Sequence, residues 1–372
     1  MPEAQLAMIR PMPHHRKPEF RAILLEAREG LKKVFKTNND IVILTASGTG
    51  AMEAAVGNLL SPETPALAVS AGKFGERWLE ICSAFRIPCR AITKNYGEAA
   101  SVEEIRQTIE QSPDTRALLI QGCETSTGTA HDLEAIGEMI RTSFPEVLIV
   151  VDAITCVGSQ PLETDAWGLD VVIGGSQKAF AIPPGLSFLS LSERAIATIK
   201  SNSTPRYYFD LLKEVEAQRG GQTALTPAVS LVIALNEALR EILNQGLDRV
   251  MDEVELMAQC TREGVLAMGF SLVSSVPAPA VTAFYPPSSI SAAAIIQRLQ
   301  ERFGIIVAGG QGDLKGKILR IGHLGYFDLI DVLSVLSALE ICLLELGSKI
   351  ELGSGIGAAM RRIASPPKPA VS

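Results

Sequence analysis

The chain has 372 residues, with 34 Lys and Arg against 41 Asp and Glu, a formal net charge of −7 and a hydrophobic share of 47%. The acidic balance argues against a sequence-independent nucleic-acid binder, which needs a basic surface. Charge, Gly or Pro interrupts each apolar run before the roughly 18–20 residues that span a bilayer, so no membrane segment is predicted. The six cysteines form no CxxC pair and the chain has four His, so we expect free thiols and no metal site. No secretory pattern opens the chain, and the expected location is the cytoplasm.

Apolar runs and helical patterns alternate through the first 246 residues. The runs predict strands at 41–45, 66–70, 117–121, 147–151, 171–174 and 186–191. The segments between them predict helices at 52–60, 74–85, 102–111 and 132–142, with Ser101 and Asp132 as N-terminal signals. This alternation indicates an α/β fold with a mainly parallel sheet flanked by helices, and ligands of such sheets bind at the carboxyl ends of the strands.

A different pattern begins near residue 226. It predicts a helix at 228–244 ending at Gly246, helices near 247–268, 290–302 and 327–347, and strands near 281–285, 304–308 and 317–322. We therefore expect an N-terminal segment (1–18), a large domain (19–246), a smaller C-terminal α+β domain (247–347) and a weakly ordered tail (348–372).

The first motif with chemical potential is Thr45-Ala46-Ser47-Gly48-Thr49-Gly50, which follows a predicted strand and opens a helix. Gly lets backbone amides approach an anion, and a helix N-terminus favours negative charge. The motif is consistent with a phosphate site. It is equally consistent with an ordinary tight turn, since short Gly loops are weak signals.

Asp152 follows the apolar run 147–151, which is typical of a buried central strand. A buried carboxylate needs a partner, and a protonated ring nitrogen of a cofactor would supply one. The alternative is a helix cap or a surface loop.

Lys178 lies in Gly174-Gly175-Ser176-Gln177-Lys178, a Gly- and Ser-flanked loop after another apolar run. An amine in such a place can become a Schiff-base nucleophile, because burial readily lowers its pKa. Most lysines are instead solvated at the surface, and that interpretation stays open for the isolated motif.

Two further features lie at or near predicted strand ends. The segment 122–128 is rich in hydroxyls that could bond to ligand oxygens or simply stabilise a loop. Arg320 interrupts an apolar strand, where its fork would match a substrate carboxylate or form an internal salt bridge. His323 is more typical of a structural histidine than of a catalytic one.

Together these features are what a pyridoxal-phosphate (PLP) enzyme requires. From about Arg10 to Gly347 the chain closely resembles the class V, fold type I PLP aminotransferases, nearest to those that use alanine or serine as donor and glyoxylate as acceptor. The resemblance rests on these motifs: His15-Arg16, Ser47-Gly48-Thr49-Gly50-Ala51-Met52-Glu53-Ala54, Gly72-Lys73-Phe74-Gly75-Glu76-Arg77-Trp78, Glu124-Thr125-Ser126-Thr127-Gly128, Val151-Asp152, Gly175-Ser176-Gln177-Lys178 and Arg320-Ile321-Gly322.

The resemblance implies a role for each matching residue. It makes Lys178 the Schiff-base lysine and Asp152 the partner of the ring nitrogen. It also implies that Arg320 binds the substrate carboxylate and that Thr226 reaches the cofactor phosphate of a neighbouring subunit in a homodimer. The remaining implied cofactor contacts are Gly48, Thr49 and Gln177 for the phosphate, Phe74 and Ile154 for the two ring faces, Thr125 for the phenolic oxygen, and Ser47 without a more specific role.

Two departures from the family pattern are visible. No Pro-Gly-Pro segment precedes the His-Arg pair, and Gly122 stands where many members have His. Some cyanobacterial relatives are labelled soluble hydrogenase small subunit, which raises a redox-complex role as an alternative. Another class V PLP enzyme and a non-catalytic homologue are the remaining alternatives.

Overall fold

A computed structural model describes residues 1–365. The first part of the chain contains α1 (Pro2–Met8), α2 (Pro18–Phe35), β1 (Asp40–Leu44), α3 (Gly48–Leu59), β2 (Ala66–Ser70), α4 (Lys73–Ala84), β3 (Cys89–Thr93), α5 (Val102–Glu110), β4 (Ala117–Gln121), β5 (Cys123–Glu124), β6 (Thr129–Ala130), α6 (Leu133–Ser143), β7 (Leu148–Asp152), β8 (Val171–Gly175), β9 (Ser187–Leu191), α7 (Glu193–Ser201), α8 (Leu211–Arg219) and α9 (Val229–Gln245). The second part contains α10 (Leu247–Ala267), β10 (Ser271–Leu272), β11 (Val281–Tyr285), α11 (Ala292–Phe303), β12 (Ala308–Gly309), a 3-10 turn (Gly312–Leu314), β13 (Leu319–Gly322), α12 (Leu329–Glu345) and α13 (Ser354–Ala364).

The large sheet has seven strands in the order β1-β9-β8-β7-β4-β2-β3. Strand β9 runs antiparallel to both of its neighbours, and the remaining strands run parallel to one another. This arrangement confirms the predicted α/β fold with a mainly parallel sheet. The edge strand β3 was not predicted, because its residues are half-buried or exposed and give no continuous apolar run.

The central strands β4, β7 and β8 are buried at every position. Helices on both faces of the sheet cover them, which is why their sequences are continuous apolar runs rather than alternating ones. Each fully buried Leu, Ile or Val contributes about 1.5–3 kcal/mol relative to an exposed one. The sheet is therefore a firm support for loops at its carboxyl edge.

The local signals in the sequence act as predicted. Ser101 and Glu104 form a capping box at the start of α5. The side chain of Asp132 accepts a hydrogen bond from the amide of Ala135 and so caps α6. Gly246 ends α9 with φ of 91°, a backbone conformation that glycine adopts without a steric penalty.

The second part of the chain forms a four-stranded antiparallel sheet in the order β10-β11-β13-β12, packed against helices. In place of the strand predicted near 304–308, the structure has only the two-residue strand β12. The predicted weakly ordered tail is wrong for α13, a helix that packs against α10 and buries Gly355, Ala358 and Ala359. Its Gly- and Ala-rich sequence suggested a flexible tail, but those small residues permit close helix contact. The last part of the predicted tail, residues 366–372, lies outside the described residues.

Two further sequence expectations concern the whole chain. All six cysteines are free thiols, as predicted. No helix within residues 1–365 is both long enough and apolar enough to cross a membrane. The predicted domain boundaries stay predictions.

Candidate active site

A cavity of about 220 Å³ lies at the carboxyl ends of β7 and β8, beside the first turns of α3 and α4. It collects every site residue predicted from the sequence except Thr226 and Arg320, and it adds Arg77 and Thr155. The lining residues are Ser47, Gly48, Thr49, Phe74, Arg77, Thr125, Asp152, Ile154, Thr155, Gln177 and Lys178.

One wall of this cavity is the N-terminus of α3. The amides of Gly50 and Ala51 bond to the Ser47 carbonyl at 2.9 and 3.3 Å, whereas no acceptor in residues 1–365 bonds to the amides of Gly48 and Thr49. A Cβ atom on Gly48 would contact Cδ1 of Ile154, so a larger residue there would require the Ile154 side chain to move. Free amides at a helix N-terminus suit an anionic group.

Asp152 is the last residue of β7, and its side chain is 6% exposed. Its Oδ1 accepts a hydrogen bond from the amide of Ile154 at 3.1 Å, while no donor within residues 1–365 reaches Oδ2. Burial raises the pKa of Asp152 to about 6, and the charge of Glu124 adds to this rise. A protonated ring nitrogen at Oδ2 would reverse that effect, because an opposite charge favours the ionised carboxyl.

Lys178 follows β8 in a loop fixed by Ser176, whose hydroxyl donates to the Pro183 carbonyl at 2.9 Å and accepts from the Leu186 amide at 3.2 Å. Burial lowers the pKa of Lys178. Its Nζ makes no hydrogen bond or ion pair with any part of the chain that the structure describes. A partly desolvated and unpartnered amine is suited to nucleophilic attack.

The position of Phe74 depends on Glu124, a fully buried carboxylate that the sequence placed only within a motif. Glu124 accepts hydrogen bonds from the amides of Phe74 at 3.1 Å and Gly75 at 2.8 Å, and from the hydroxyl of Ser126 at 2.5 Å. It therefore caps the N-terminus of α4, where a negative charge is favoured. The contact joins the hydroxyl-rich loop to the helix that carries Phe74.

Hydroxyl groups form another part of the wall. Thr125 and Thr155 lie with their Oγ1 atoms 2.8 Å apart, and both line the cavity. Thr155 has no motif that the sequence could have revealed, because it follows Asp152 in a turn whose direction only the structure shows.

Arg320 lies in β13 and lines a second cavity of about 280 Å³. Its Nε donates to the Gly309 carbonyl at 2.9 Å, and one terminal nitrogen donates to the Thr125 carbonyl at 2.8 Å. No carboxylate in residues 1–365 forms an ion pair with it, so the internal salt bridge weighed from the sequence is absent there. The two cavities adjoin, since both are lined by Phe74, Thr125, Thr155 and Lys178.

Three other sequence features lie outside the two cavities. Thr226 is exposed and lines a separate small depression with Thr45, so its reach toward a neighbouring subunit stays a prediction. His323 is buried and its Nε2 lies 2.9 Å from Oγ1 of Thr282, which is a structural position. A Cβ on Gly122 would lie 2.6 Å from Sγ of Cys156, so a histidine there would require the Cys156 side chain to shift.

The residues of the first cavity fit PLP on structural grounds. The free amides of α3 suit its phosphate, the unpartnered Oδ2 of Asp152 suits its ring nitrogen, and the unpartnered Nζ of Lys178 suits its aldehyde. The cavity residues are therefore those expected of a fold type I protein that binds PLP.

Comparisons with known proteins agree with this class. The family model described as Aminotransferase class-V matches residues 4–315, and the chain belongs to that family. It is 38% identical to the soluble hydrogenase 42 kDa subunit of Anabaena cylindrica, over 97% of this chain and 95% of that one. It is 31% identical to the L-aspartate–glyoxylate aminotransferase of Paracoccus denitrificans, over 96% and 92% of the two chains. The crystal structure of an alanine–glyoxylate aminotransferase from Nostoc sp. superposes with a TM-score of 0.87 at 31% identity, covering 92% of each chain.

Proposed function

We propose that this protein is a PLP-dependent aminotransferase that moves the amino group of alanine or serine to a 2-oxo acid, with glyoxylate as the acceptor. The observation that carries the proposal is the position of Lys178, which lines both the cavity that fits the cofactor and the cavity that holds Arg320.

Each side chain has a distinct task in this proposal. Bound PLP supplies an electron sink for the carbanion formed at the substrate Cα. Lys178 acts as general base and acid, taking the proton from Cα and returning it at C4′ of the cofactor. Arg320 holds the substrate α-carboxylate with the N–H groups that its two backbone contacts leave free. Asp152 keeps the proton on the ring nitrogen, while Phe74 and Ile154 cover the ring faces.

The second cavity supports a small donor with a single carboxylate. Besides the shared residues and Arg320, its wall consists of uncharged residues: Ala280, Val281, Ala308, Gln311, Gly322 and Leu324. Lys178 and Arg320 are its only cations in the part of the chain that the structure describes. A second carboxylate, as in aspartate, would therefore lack a charged partner and would lose much of its hydration.

The decisive experiment is a panel of half-reaction spectra. The purified protein should be yellow, and alanine or serine should bleach the visible band of the bound cofactor. Lys178→Ala should lose this response, whereas the exposed Lys200→Ala should keep it. Wild-type protein that binds no PLP, or that shows no change with any amino acid, would contradict the proposal.

A redox-complex role is the second candidate, because the relative from Anabaena cylindrica is named as a hydrogenase subunit. Residues 1–365 bring no three His, Cys, Asp or Glu side chains together in a way that could hold a metal ion. Turnover of hydrogen linked to methyl viologen by the purified chain would favour that role. A homodimer with Thr226 at the neighbouring site, and a cytoplasmic location, remain parts of the proposal to be tested.

A further inference from the structure

Arg77 is the charged cavity residue to which neither the sequence patterns nor the proposed function gives a task. It lies on α4, one turn after Phe74, and its guanidinium carbon is 4.9 Å from the centre of the Phe74 ring. Both side chains line the 220 Å³ cavity. A cation within about 6 Å of an aromatic face is attracted to it, so each side chain restrains the other.

Arg77 also lacks an anionic partner. The neighbouring Lys73 pairs with Glu76 at 2.6 Å, but no carboxylate in residues 1–365 lies within ion-pair distance of Arg77. A half-buried arginine without a carboxylate is unusual, because desolvation of the charge must be offset. We therefore infer that the positive charge of Arg77 acts on groups in or around the cavity.

The charges around the cavity show what Arg77 would serve. Two buried carboxylates, Asp152 and Glu124, face the region, and the nearby cations are Arg77, Lys178 and Arg320. Under the proposed function Lys178 reacts with the cofactor and Arg320 binds the substrate carboxylate. Arg77 is then the cation that stays available throughout to balance the charge of Asp152.

We propose that Arg77 is a positioning residue for the cofactor ring, which braces Phe74 against the ring and supplies the permanent positive charge that offsets Asp152. The inference rests on the proposed function and deepens it. It gives Arg77 an effect on cofactor binding that does not require turnover.

The pH dependence follows from the groups around Asp152. Glu124, Arg77 and Lys178 act on its charge, and the Cys123 and Cys156 thiols lie beside them. Burial raises the pKa of Asp152 to about 6, and the charge of Arg77 opposes that rise. Without Arg77 the pKa of Asp152 would rise further, so more of it would be protonated at neutral pH and unable to bind a protonated ring nitrogen.

The test is direct titration of the apoprotein with PLP at pH 6.5, 7.5 and 8.5, followed by tryptophan fluorescence. Arg77→Met removes the charge but keeps a long apolar chain over Phe74, and Arg77→Lys keeps the charge but loses the planar group. Arg90→Met, an exposed arginine on β3, is the matched control. The ratio of variant to wild-type Kd cancels the titration of PLP itself.

We expect Arg77→Met to weaken PLP binding about threefold at pH 6.5, because a one-unit rise from a pKa of about 6 lowers the ionised fraction of Asp152 by that factor, with a ratio near one at pH 8.5. Arg77→Lys should keep the wild-type pH profile, and Arg90→Met should match wild type. A ratio near one at all three pH values, or a loss independent of pH, would overturn the inference. If thermal unfolding shows that Arg77→Met does not fold, Arg77→Gln provides the neutral variant. If wild-type protein does not bind PLP, the proposed function itself is refuted.

Discussion

The two adjoining cavities are built in different ways. The cavity that fits the cofactor is lined by residues at buried strand ends and by the first turns of two helices, all supported by the large sheet. The cavity that holds Arg320 takes much of its wall from strands β11, β12 and β13 of the small sheet and from neighbouring loops, with Gln311 and Gly322 exposed. The contrast indicates that cofactor chemistry depends on burial, whereas substrate choice depends on a more exposed wall.

The largest expected effect tests the cavity that fits the cofactor. Asp152→Asn should lower kcat/KM by about 10²-fold or more, because it removes the charge that holds the protonated ring nitrogen. The same change should stabilise the apoprotein. The folded pKa of about 6 is above the ordinary 3.8, so apoprotein stability falls as pH rises through about 6.

The Asp152→Asn apoprotein lacks that titration, so its free energy of unfolding at pH 8 should exceed that of wild type by on the order of 2 kcal/mol. At pH 4 the two proteins should differ little. Urea unfolding of the apoprotein at the two pH values measures this, and the exposed Asp114→Asn is the control. Equal stability of wild type and Asp152→Asn at pH 8 would contradict the burial argument.

A smaller effect should separate the two cavities. Arg320→Ala removes charge-assisted hydrogen bonds to the substrate carboxylate, so KM for the amino acid should rise about 10- to 100-fold. Kd for PLP should change little, because Arg320 does not line the first cavity. Steady-state kinetics and PLP titration measure the split, with the exposed Arg90→Ala as control. Loss of cofactor with an unchanged KM would make Arg320 a structural residue.

The smallest effect concerns the neighbouring subunit. Thr226→Val removes a single hydroxyl, so PLP binding should weaken about threefold to tenfold if that hydroxyl reaches the phosphate across a dimer. Wild-type affinity should also fall on dilution below the dimer dissociation constant. Sedimentation velocity with parallel PLP titration tests both. Affinity that is independent of association state would remove Thr226 from the site.

The same contrast explains what could be predicted from the sequence. Asp152 and Lys178 follow continuous apolar runs, and a parallel sheet brings the ends of such runs to one edge. Glu124 as the cap of α4 and Thr155 beside Thr125 depend on how turns fold back, and no sequence spacing records that. Helix α13 was mistaken for a tail because its contacts come from α10, about 100 residues away in sequence.

Gly122 and Cys156 have a consequence for the evolution of this site. A Cβ at residue 122 would lie 2.6 Å from the Cys156 sulfur, so a substitution there requires Cys156 to shift or to change with it. A histidine at residue 122 should therefore be harmful alone and better tolerated once Cys156 becomes glycine. The order in which substitutions arise would then decide which descendants of this sequence are reachable.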